Sequence, residues 1–170
     1  MNEFFQKNII SIRDLDKQQF QSIFDATDRI LQLDPNELRE IARGKTLSYL
    51  FFEPSTRTRL SFQAAMALLG GSSLGIADIS SSSTQKGESL ADTVKMMSLY
   101  SDVVVLRHPL DGSSRFASDI SSKPVINAGS GTEEHPTQAI QDLFTIKKEM
   151  KKIDGLKIGI VGDLKYGRTV

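Results

Sequence analysis

Short apolar runs alternate with amphipathic helical patterns along this chain, and that alternation most constrains its fold. Apolar runs typical of strands fall at 47–52, 74–79, 103–106, 124–128 and 157–161. Between them, the spacing of apolar residues predicts helices that begin near residues 17, 35, 56, 88, 114 and 136. This order favours a three-layer α/β/α fold, in which helices cover both faces of a central, mainly parallel sheet.

Three local expectations accompany this pattern. Gly70-Gly71 should end the helix that begins near residue 56. Residues 80–87 are polar and rich in serine, which predicts a mobile loop. Apolar residues at helical spacing in the third helix predict a buried face formed by Leu60, Ala64, Ala67 and Leu68.

The composition excludes several classes of function. The 21 basic and 21 acidic residues balance, so no net charge favours nucleic acid or a membrane surface as a partner. The chain has no cysteine and only two histidines, which argues against disulfides, a thiol nucleophile and a metal site. No apolar run is long enough to span a membrane, and the first residues lack a basic signal region. We expect a soluble, cytoplasmic protein without a metal site.

The turn after the first predicted strand has the features of an anion site. Glu53-Pro54 ends the strand, and Ser55, Thr56, Arg57 and Thr58 begin a helix. A helix N-terminus presents backbone N–H groups and the positive end of the helix dipole, and arginine binds phosphate oxygens in pairs. These residues therefore predict a phosphate pocket. The alternative is an ordinary capped helix whose basic first turn is only solvated.

Other polar residues follow the remaining strands, where ligands collect in parallel sheets. Arg107 and His108 end the third strand, although an arginine there could equally pair with a surface carboxylate. His135 precedes Pro136 at a predicted helix start. Its imidazole could donate a hydrogen bond to a carbonyl oxygen, act as an acid or base near neutral pH, or be satisfied locally at the N-cap. Gln138 lies one turn further along and could orient an amide.

Two further features allow more than one interpretation. Lys86 lies in the serine-rich segment and could close over an anion, but a solvated loop lysine is the more common case. The segment 162–169 approaches the P-loop pattern, yet Arg168 replaces the lysine, and bulky residues stand where close backbone approach is needed. Nucleotide binding is therefore disfavoured.

Five motifs in order resemble the aspartate/ornithine transcarbamoylase family, from about residue 4 to the end of the chain. They are Phe-Glu-Pro-Ser-Thr-Arg-Thr-Arg at 52–59, Lys-Gly-Glu-Ser at 86–89 with Ala-Asp-Thr at 91–93, Arg-His-Pro at 107–109, His-Pro-Thr-Gln at 135–138, and Gly-Arg-Thr at 167–169. Within the family, the ornithine enzymes usually carry lysine in place of Glu53 and cysteine in place of Thr137, and they lack a counterpart of Lys86. The differences favour L-aspartate as the acceptor.

The resemblance implies a role for each candidate residue. The phosphate of carbamoyl phosphate would be bound by Ser55, Thr56, Arg57 and Thr58. Arg107 would bridge this phosphate and the carbonyl oxygen, which His135 and Thr58 would polarise, and Gln138 would hold the carbamoyl NH2. Ser82 and Lys86 would reach the site of a neighbouring subunit in a homotrimer, and Arg168 would bind a carboxylate of aspartate. The catalytic set is then Arg57, Thr58, Arg107 and His135.

The resemblance also implies a domain division and an activity. Residues 1–150 would form the carbamoyl-phosphate-binding domain, and residues 151–170 would begin an aspartate-binding domain with the strand at 157–161. The complete enzyme would carbamoylate aspartate in pyrimidine biosynthesis without a cofactor. The resemblance also leaves open a regulatory chain as a partner. The 170-residue chain alone should bind carbamoyl phosphate with little or no turnover. The alternatives are ornithine carbamoylation and a non-catalytic module that binds phosphate metabolites.

Overall fold

A four-stranded parallel sheet forms the centre of the protein. The computed structural model describes residue 4 and residues 6–77, 86–132 and 134–162. The strands follow the order β2-β1-β3-β4, and every neighbouring pair is parallel. The predicted α/β fold is therefore confirmed. The bounds of the strands are β1 Thr46–Phe51, β2 Ser72–Ile76, β3 Val103–His108 and β4 Val125–Ser130.

Six α-helices surround the sheet within the described ranges, together with a short 3-10 helix at Ile12–Asp14. Asp16 and Asp34 each form a capping box: the aspartate side chain accepts the backbone N–H of Gln19 or Glu37, and the aspartate N–H donates to the side chain of that residue. None of the helices formed by the described residues is long and apolar enough to cross a membrane. The bounds are α1 Lys17–Ile30, α2 Pro35–Ile41, α3 Thr56–Leu68, α4 Leu90–Tyr100, α5 Ser113–Ile120 and α6 Pro136–Met150.

Two apolar clusters lie on opposite faces of the sheet and account for the three layers. Side chains alternate along a strand, so Leu50 of β1 enters one cluster and Phe51 enters the other. Val94 of α4 and Ala117 of α5 complete the first cluster. Met66 of α3 joins Phe51 in the second. Helices thus cover both faces, as the sequence pattern predicted.

The predicted buried face of helix α3 is wrong. Leu60 is 49% exposed and Leu68 is 66% exposed, whereas Met66 is buried and packs with Phe62 and Leu69. The helix carries apolar residues around most of its circumference, so spacing alone could not select the face. Phe62, Met66 and Leu69, spaced by four and three residues, pack on the sheet, and the predicted stripe faces outward. The predicted helix end is confirmed, since Gly70 adopts φ +82° after the last turn.

The predicted strand at 157–161 is also wrong. These residues have no regular secondary structure, and Ile158, Ile160 and Val161 are 60%, 52% and 99% exposed. A strand needs a hydrogen-bonded neighbour, and no described strand pairs with this segment. Most of the predicted loop at 80–87 lies outside the described residues. Among the described residues, the last regular element beside the candidate site is α6.

Candidate anion-binding site

A cavity of about 760 Å³ opens at the carboxyl edge of the sheet, between the N-termini of helices α3 and α6. Strands β1 and β3 end beside it, as expected for ligand sites in parallel sheets. Most of its wall consists of hydroxyl, amide, guanidinium and imidazole groups. The lining residues are Pro54, Ser55, Thr56, Arg57, Thr58, Ser61, Phe62, Ala65, Arg107, His135, Thr137, Gln138 and Gln141.

The N-terminus of helix α3 is built differently from those of α1, α2 and α4. In those three helices, the N-cap side chain accepts a hydrogen bond from a first-turn N–H group. Ser55 is the N-cap of α3, but its hydroxyl makes no such bond within this fully described helix. Among the described residues, no carboxylate forms an ion pair with Arg57, which is exposed at the cavity wall. The first turn of α3 is therefore available to an external anion.

Arg107 is fixed in the opposite wall by two contacts. Its Nε lies 2.7 Å from Glu53 Oε1, and the two side chains are 15% and 18% exposed. Its Nη1 donates a hydrogen bond of 3.1 Å to the carbonyl oxygen of Ala128. The sequence left open whether Arg107 pairs with a carboxylate or lines the site, and in the structure it does both. The pair orients the guanidinium while it remains within reach of a ligand.

His135 connects the two helix starts across the cavity. Its Nε2 lies 3.4 Å from Thr58 Oγ1, and its Nδ1 lies 3.3 Å from Thr137 Oγ1. The residue is the N-cap of α6 (φ −131°, ψ 78°), and its carbonyl accepts the N–H groups of Gln138 and Ala139. The imidazole makes no capping hydrogen bond and lines the cavity. The predicted placement of His135 at the helix mouth is confirmed.

His108 lies behind this wall and is a structural residue in the geometry observed. Its Nδ1 accepts a hydrogen bond from the N–H of Leu110 at 3.1 Å and lies 2.8 Å from Ser113 Oγ. Its ring packs 5.1 Å from that of Phe52. Burial lowers the pKa of His108 below its usual value, with a smaller opposing effect from the charge of Glu53. A neutral imidazole with Nδ1 as acceptor therefore stabilises the turn after β3.

Seven of the ten predicted site residues line the cavity: Ser55, Thr56, Arg57, Thr58, Arg107, His135 and Gln138. Gln138 is exposed, and its amide nitrogen donates to Asp142 at 3.0 Å. Lys86 is exposed and does not line this cavity of its own chain. Ser82 and Arg168 lie outside the described residues.

Sequence reasoning missed part of the wall and its support. Ser61 and Ala65 lie one and two turns after Arg57 on α3, and Gln141 lies one turn after Gln138 on α6. Helical periodicity applied to the predicted residues would have found all three. The contact between Glu53 and Arg107 had no local signal, because it joins the ends of two different strands.

The chemistry of the wall suits an anion that carries a carbonyl group. Guanidinium and hydroxyl groups donate to phosphate oxygens, and an imidazole beside a threonine can donate to a carbonyl oxygen. Among the described residues, no group of three or more carboxylate or imidazole side chains could hold a metal ion. The fold and the cavity together define an α/β domain with a candidate site for a small anion.

Comparison with known proteins identifies the family. Residues 7–148 match the model of the aspartate/ornithine carbamoyltransferase carbamoyl-P binding domain. The chain is 76% identical over 170 residues to the aspartate carbamoyltransferase catalytic subunit of Nitrosopumilus maritimus, and covers 55% of that relative. It is 54% identical over 165 residues to the corresponding subunit of Thermococcus kodakarensis, of which it covers 53%. The chain belongs to the aspartate/ornithine carbamoyltransferase family and spans about half the length of these relatives.

Solved structures agree with this assignment. The catalytic subunit of M. Jannaschii aspartate transcarbamoylase matches with a TM-score of 0.88 and 49% identity, over 96% of this chain and 54% of that one. Aspartate transcarbamoylase from Trypanosoma cruzi, in complex with carbamoyl phosphate and aspartate, matches with a TM-score of 0.89 and 39% identity over 96% of this chain and 54% of that one. The fold is therefore shared over about half the length of these proteins.

Proposed function

We propose that this protein transfers the carbamoyl group of carbamoyl phosphate to the α-amine of L-aspartate, as an aspartate carbamoyltransferase. One observation carries the proposal: the N-terminus of α3, Arg107 and His135 converge on one cavity in a chain of the carbamoyltransferase family. A site that bound only phosphate would need the N-terminus of α3 but neither Arg107 nor His135. The products are N-carbamoyl-L-aspartate and phosphate, a reaction that belongs to pyrimidine biosynthesis.

The phosphate of the substrate binds at the first turn of α3. Backbone N–H groups there and the hydroxyls of Ser55, Thr56 and Thr58 donate to its oxygens, and Arg57 supplies a bidentate guanidinium. Arg107 lies in the facing wall, so its guanidinium bridges the phosphate and the carbonyl oxygen of the carbamoyl group. Gln138 holds the carbamoyl NH2 through its amide oxygen.

The reaction proceeds through a tetrahedral state in which negative charge develops on the carbonyl oxygen. The amine of aspartate attacks the carbamoyl carbon, the C–O bond to phosphate breaks, and the leaving phosphate takes the amine proton. His135 and Thr58, whose side chains lie 3.4 Å apart, donate to the developing oxyanion. Each such donor is worth about 3 kcal/mol in comparable sites. The residues of this wall thus act by positioning and charge stabilisation, and we assign no protein general base.

Other parts of the site are proposed to come from outside the described cavity. Residues 1–150 form the carbamoyl-phosphate-binding domain, and residues 151–170 begin a domain in which Arg168 binds aspartate. Ser82 and Lys86 reach the cavity of a neighbouring copy in a homotrimer. Two observations support assembly: the outer stripe of α3 is apolar, and Leu99 and Tyr100 at the end of α4 are 78% and 60% exposed. Sedimentation of the purified protein should therefore give a trimer, whereas a monomer would contradict this part of the proposal.

The substrate and the reaction are tested together by assaying the complete protein with carbamoyl phosphate and either L-aspartate or L-ornithine. We expect phosphate release that depends on aspartate and not on ornithine. Substitution His135→Ala should lower kcat at least tenfold, while the Kd for carbamoyl phosphate changes much less. A protein that binds carbamoyl phosphate but releases no product with either amine would be a sensor, and the proposal would be wrong.

A further inference from the structure

A buried asparagine behind the cavity makes hydrogen bonds that the proposed chemistry does not use. Asn127 is 3% exposed and lies in β4, one residue before Ala128. Its Oδ1 accepts the backbone N–H of Gly129 at 2.8 Å and the hydroxyl of Ser130 at 3.2 Å. Its Nδ2 donates to the carbonyl of Ile10 at 2.9 Å. Both ends of the carboxamide are therefore engaged, which only asparagine can do at this size.

These bonds support an irregularity between β3 and β4. Leu106 pairs with Asn127, but the next pair is His108 with Ser130. Between these two pairs, β4 advances by three residues while β3 advances by two, which is a β-bulge. Gly129 lies in the bulge with φ +116°, a backbone conformation that disfavours a residue with a side chain. Because a bulge removes ladder hydrogen bonds, its backbone groups need other partners. The Asn127 carboxamide supplies one for Gly129.

The bulge determines where the carbonyl of Ala128 points. That carbonyl accepts the hydrogen bond from Arg107 Nη1 at 3.1 Å. Ala128 is fully buried between Asn127 and Gly129, so its carbonyl direction depends on the peptide geometry that Asn127 maintains. The other anchor of Arg107, Glu53, contacts Nε, so the hydrogen bond from Nη1 to Ala128 fixes a second point of the planar guanidinium and thereby its direction.

We propose that Asn127 is a positioning residue for Arg107: it holds the β4 bulge so that the Ala128 carbonyl orients the guanidinium toward the bound anion. This inference rests on the proposed function, because it assigns Arg107 to the phosphate and carbonyl of carbamoyl phosphate. Asn127 does not itself contact substrate. It affects substrate binding through the peptide unit between Ala128 and Gly129 and through the hydrogen bond from Arg107 Nη1 to the Ala128 carbonyl.

A double-mutant cycle measured by calorimetric titration of carbamoyl phosphate tests the inference. Asn127→Ala should raise the Kd about tenfold, the effect of one misplaced charged donor. Arg107→Lys keeps the charge but has no fork to orient, and adding Asn127→Ala to it should change the Kd by less than about twofold. A purely structural asparagine would weaken binding by the same factor in both backgrounds, which would overturn the inference.

Two further variants keep the test decisive. Ser114→Ala removes a buried hydroxyl that contacts Ser130 at the same bulge and reaches Asn127 only indirectly, through the Ser130 hydroxyl. It should lower the melting temperature and leave the Kd unchanged. If Asn127→Ala does not fold, Asn127→Leu replaces it, since it keeps the branched shape of the side chain but offers no acceptor to the N–H of Gly129. A raised Kd in Asn127→Leu, with an unchanged Kd in Ser114→Ala, is the expected result.

The outcomes separate the inference from the proposed function. If Arg107→Lys binds carbamoyl phosphate as tightly as the wild type, the proposed role of Arg107 fails, and the positioning role fails with it. If Arg107→Lys binds weakly while the folded Asn127 variant binds normally, only the positioning role is wrong.

Discussion

Replacing Glu53 by glutamine tests the ion pair that holds Arg107 at the cavity wall. The two side chains are 18% and 15% exposed, and their charged atoms lie 2.7 Å apart. Glutamine keeps the size and an acceptor oxygen but removes the charge. A hydrogen bond to a charged group is worth about 1.5–3 kcal/mol and a neutral one about 1 kcal/mol. Since a mostly buried guanidinium also loses its counter-charge, we expect the free energy of unfolding to fall by about 2 kcal/mol.

The assay is urea and thermal unfolding of Glu53→Gln beside a matched control. For a domain of this size, about 2 kcal/mol corresponds to a decrease of about 4–8 °C in melting temperature. The control is Glu40→Gln, which removes the same charge from a pair with Arg43 at 3.1 Å, where the side chains are 63% and 75% exposed. Exposed pairs contribute little, so its unfolding free energy should change by less than about 0.5 kcal/mol.

Anion binding provides a second readout of the same pair. In Glu53→Gln, inorganic phosphate in the cavity can supply the charge that Arg107 has lost. Phosphate should therefore raise the melting temperature of Glu53→Gln more than that of the wild type or of Glu40→Gln. Equal stability of the two variants, with equal responses to phosphate, would refute the view that the pair with Glu53 anchors Arg107.

Two other predictions concern the turn after β3 and the end of α3. Because burial lowers the pKa of His108, the unfolded state binds more protons, and the free energy of unfolding should fall as the pH drops through about 6.5. His108→Asn keeps an acceptor for Leu110 and should flatten this slope in urea titrations between pH 7.5 and 5.5; an unchanged slope would contradict the assignment. Gly70→Ala would place a Cβ 1.8 Å from the carbonyl oxygen of Arg39 at φ +82°. At Gly44 φ is +72°, but an added Cβ would meet no other described residue within 4 Å apart from its chain neighbours. Thermal melts should therefore show a loss of stability in Gly70→Ala well above the roughly 1 kcal/mol of left-handed strain expected for Gly44→Ala. Equal losses in the two glycine variants would show that this close approach is relieved without cost.

The order of strands and helices was predictable because each element carries a local signal. Asp16 and Asp34 are residues typical of helix N-caps, and each stands directly before a helix. The continuous apolar run Val103–Leu106 is typical of a strand buried on both faces. The buried face of α3 was not predictable, because apolar residues occupy most of its surface. The segment 157–161 has the composition of a strand but no described neighbour, and pairing is not a local property.

The candidate site was largely predictable from one rule, that polar residues after parallel strands meet at one edge. This rule brought Thr58, Arg107 and His135 together although they are far apart in sequence. It could not reveal the partners behind the wall. The contacts of Arg107 with Glu53 and with the Ala128 carbonyl depend on strand ends and on a bulge, and both arise only when the sheet forms.

Calorimetric titration of carbamoyl phosphate into the purified protein tests the central claim most directly. It should be run with Arg57→Ala and with a matched control, Arg59→Ala, which removes an arginine from the same turn that does not line the cavity. We predict saturable binding to one site per chain, weakened at least tenfold in Arg57→Ala through loss of a bidentate contact and retained in Arg59→Ala. Absence of binding, or equal binding by all three proteins, would contradict the assignment of this cavity to carbamoyl phosphate.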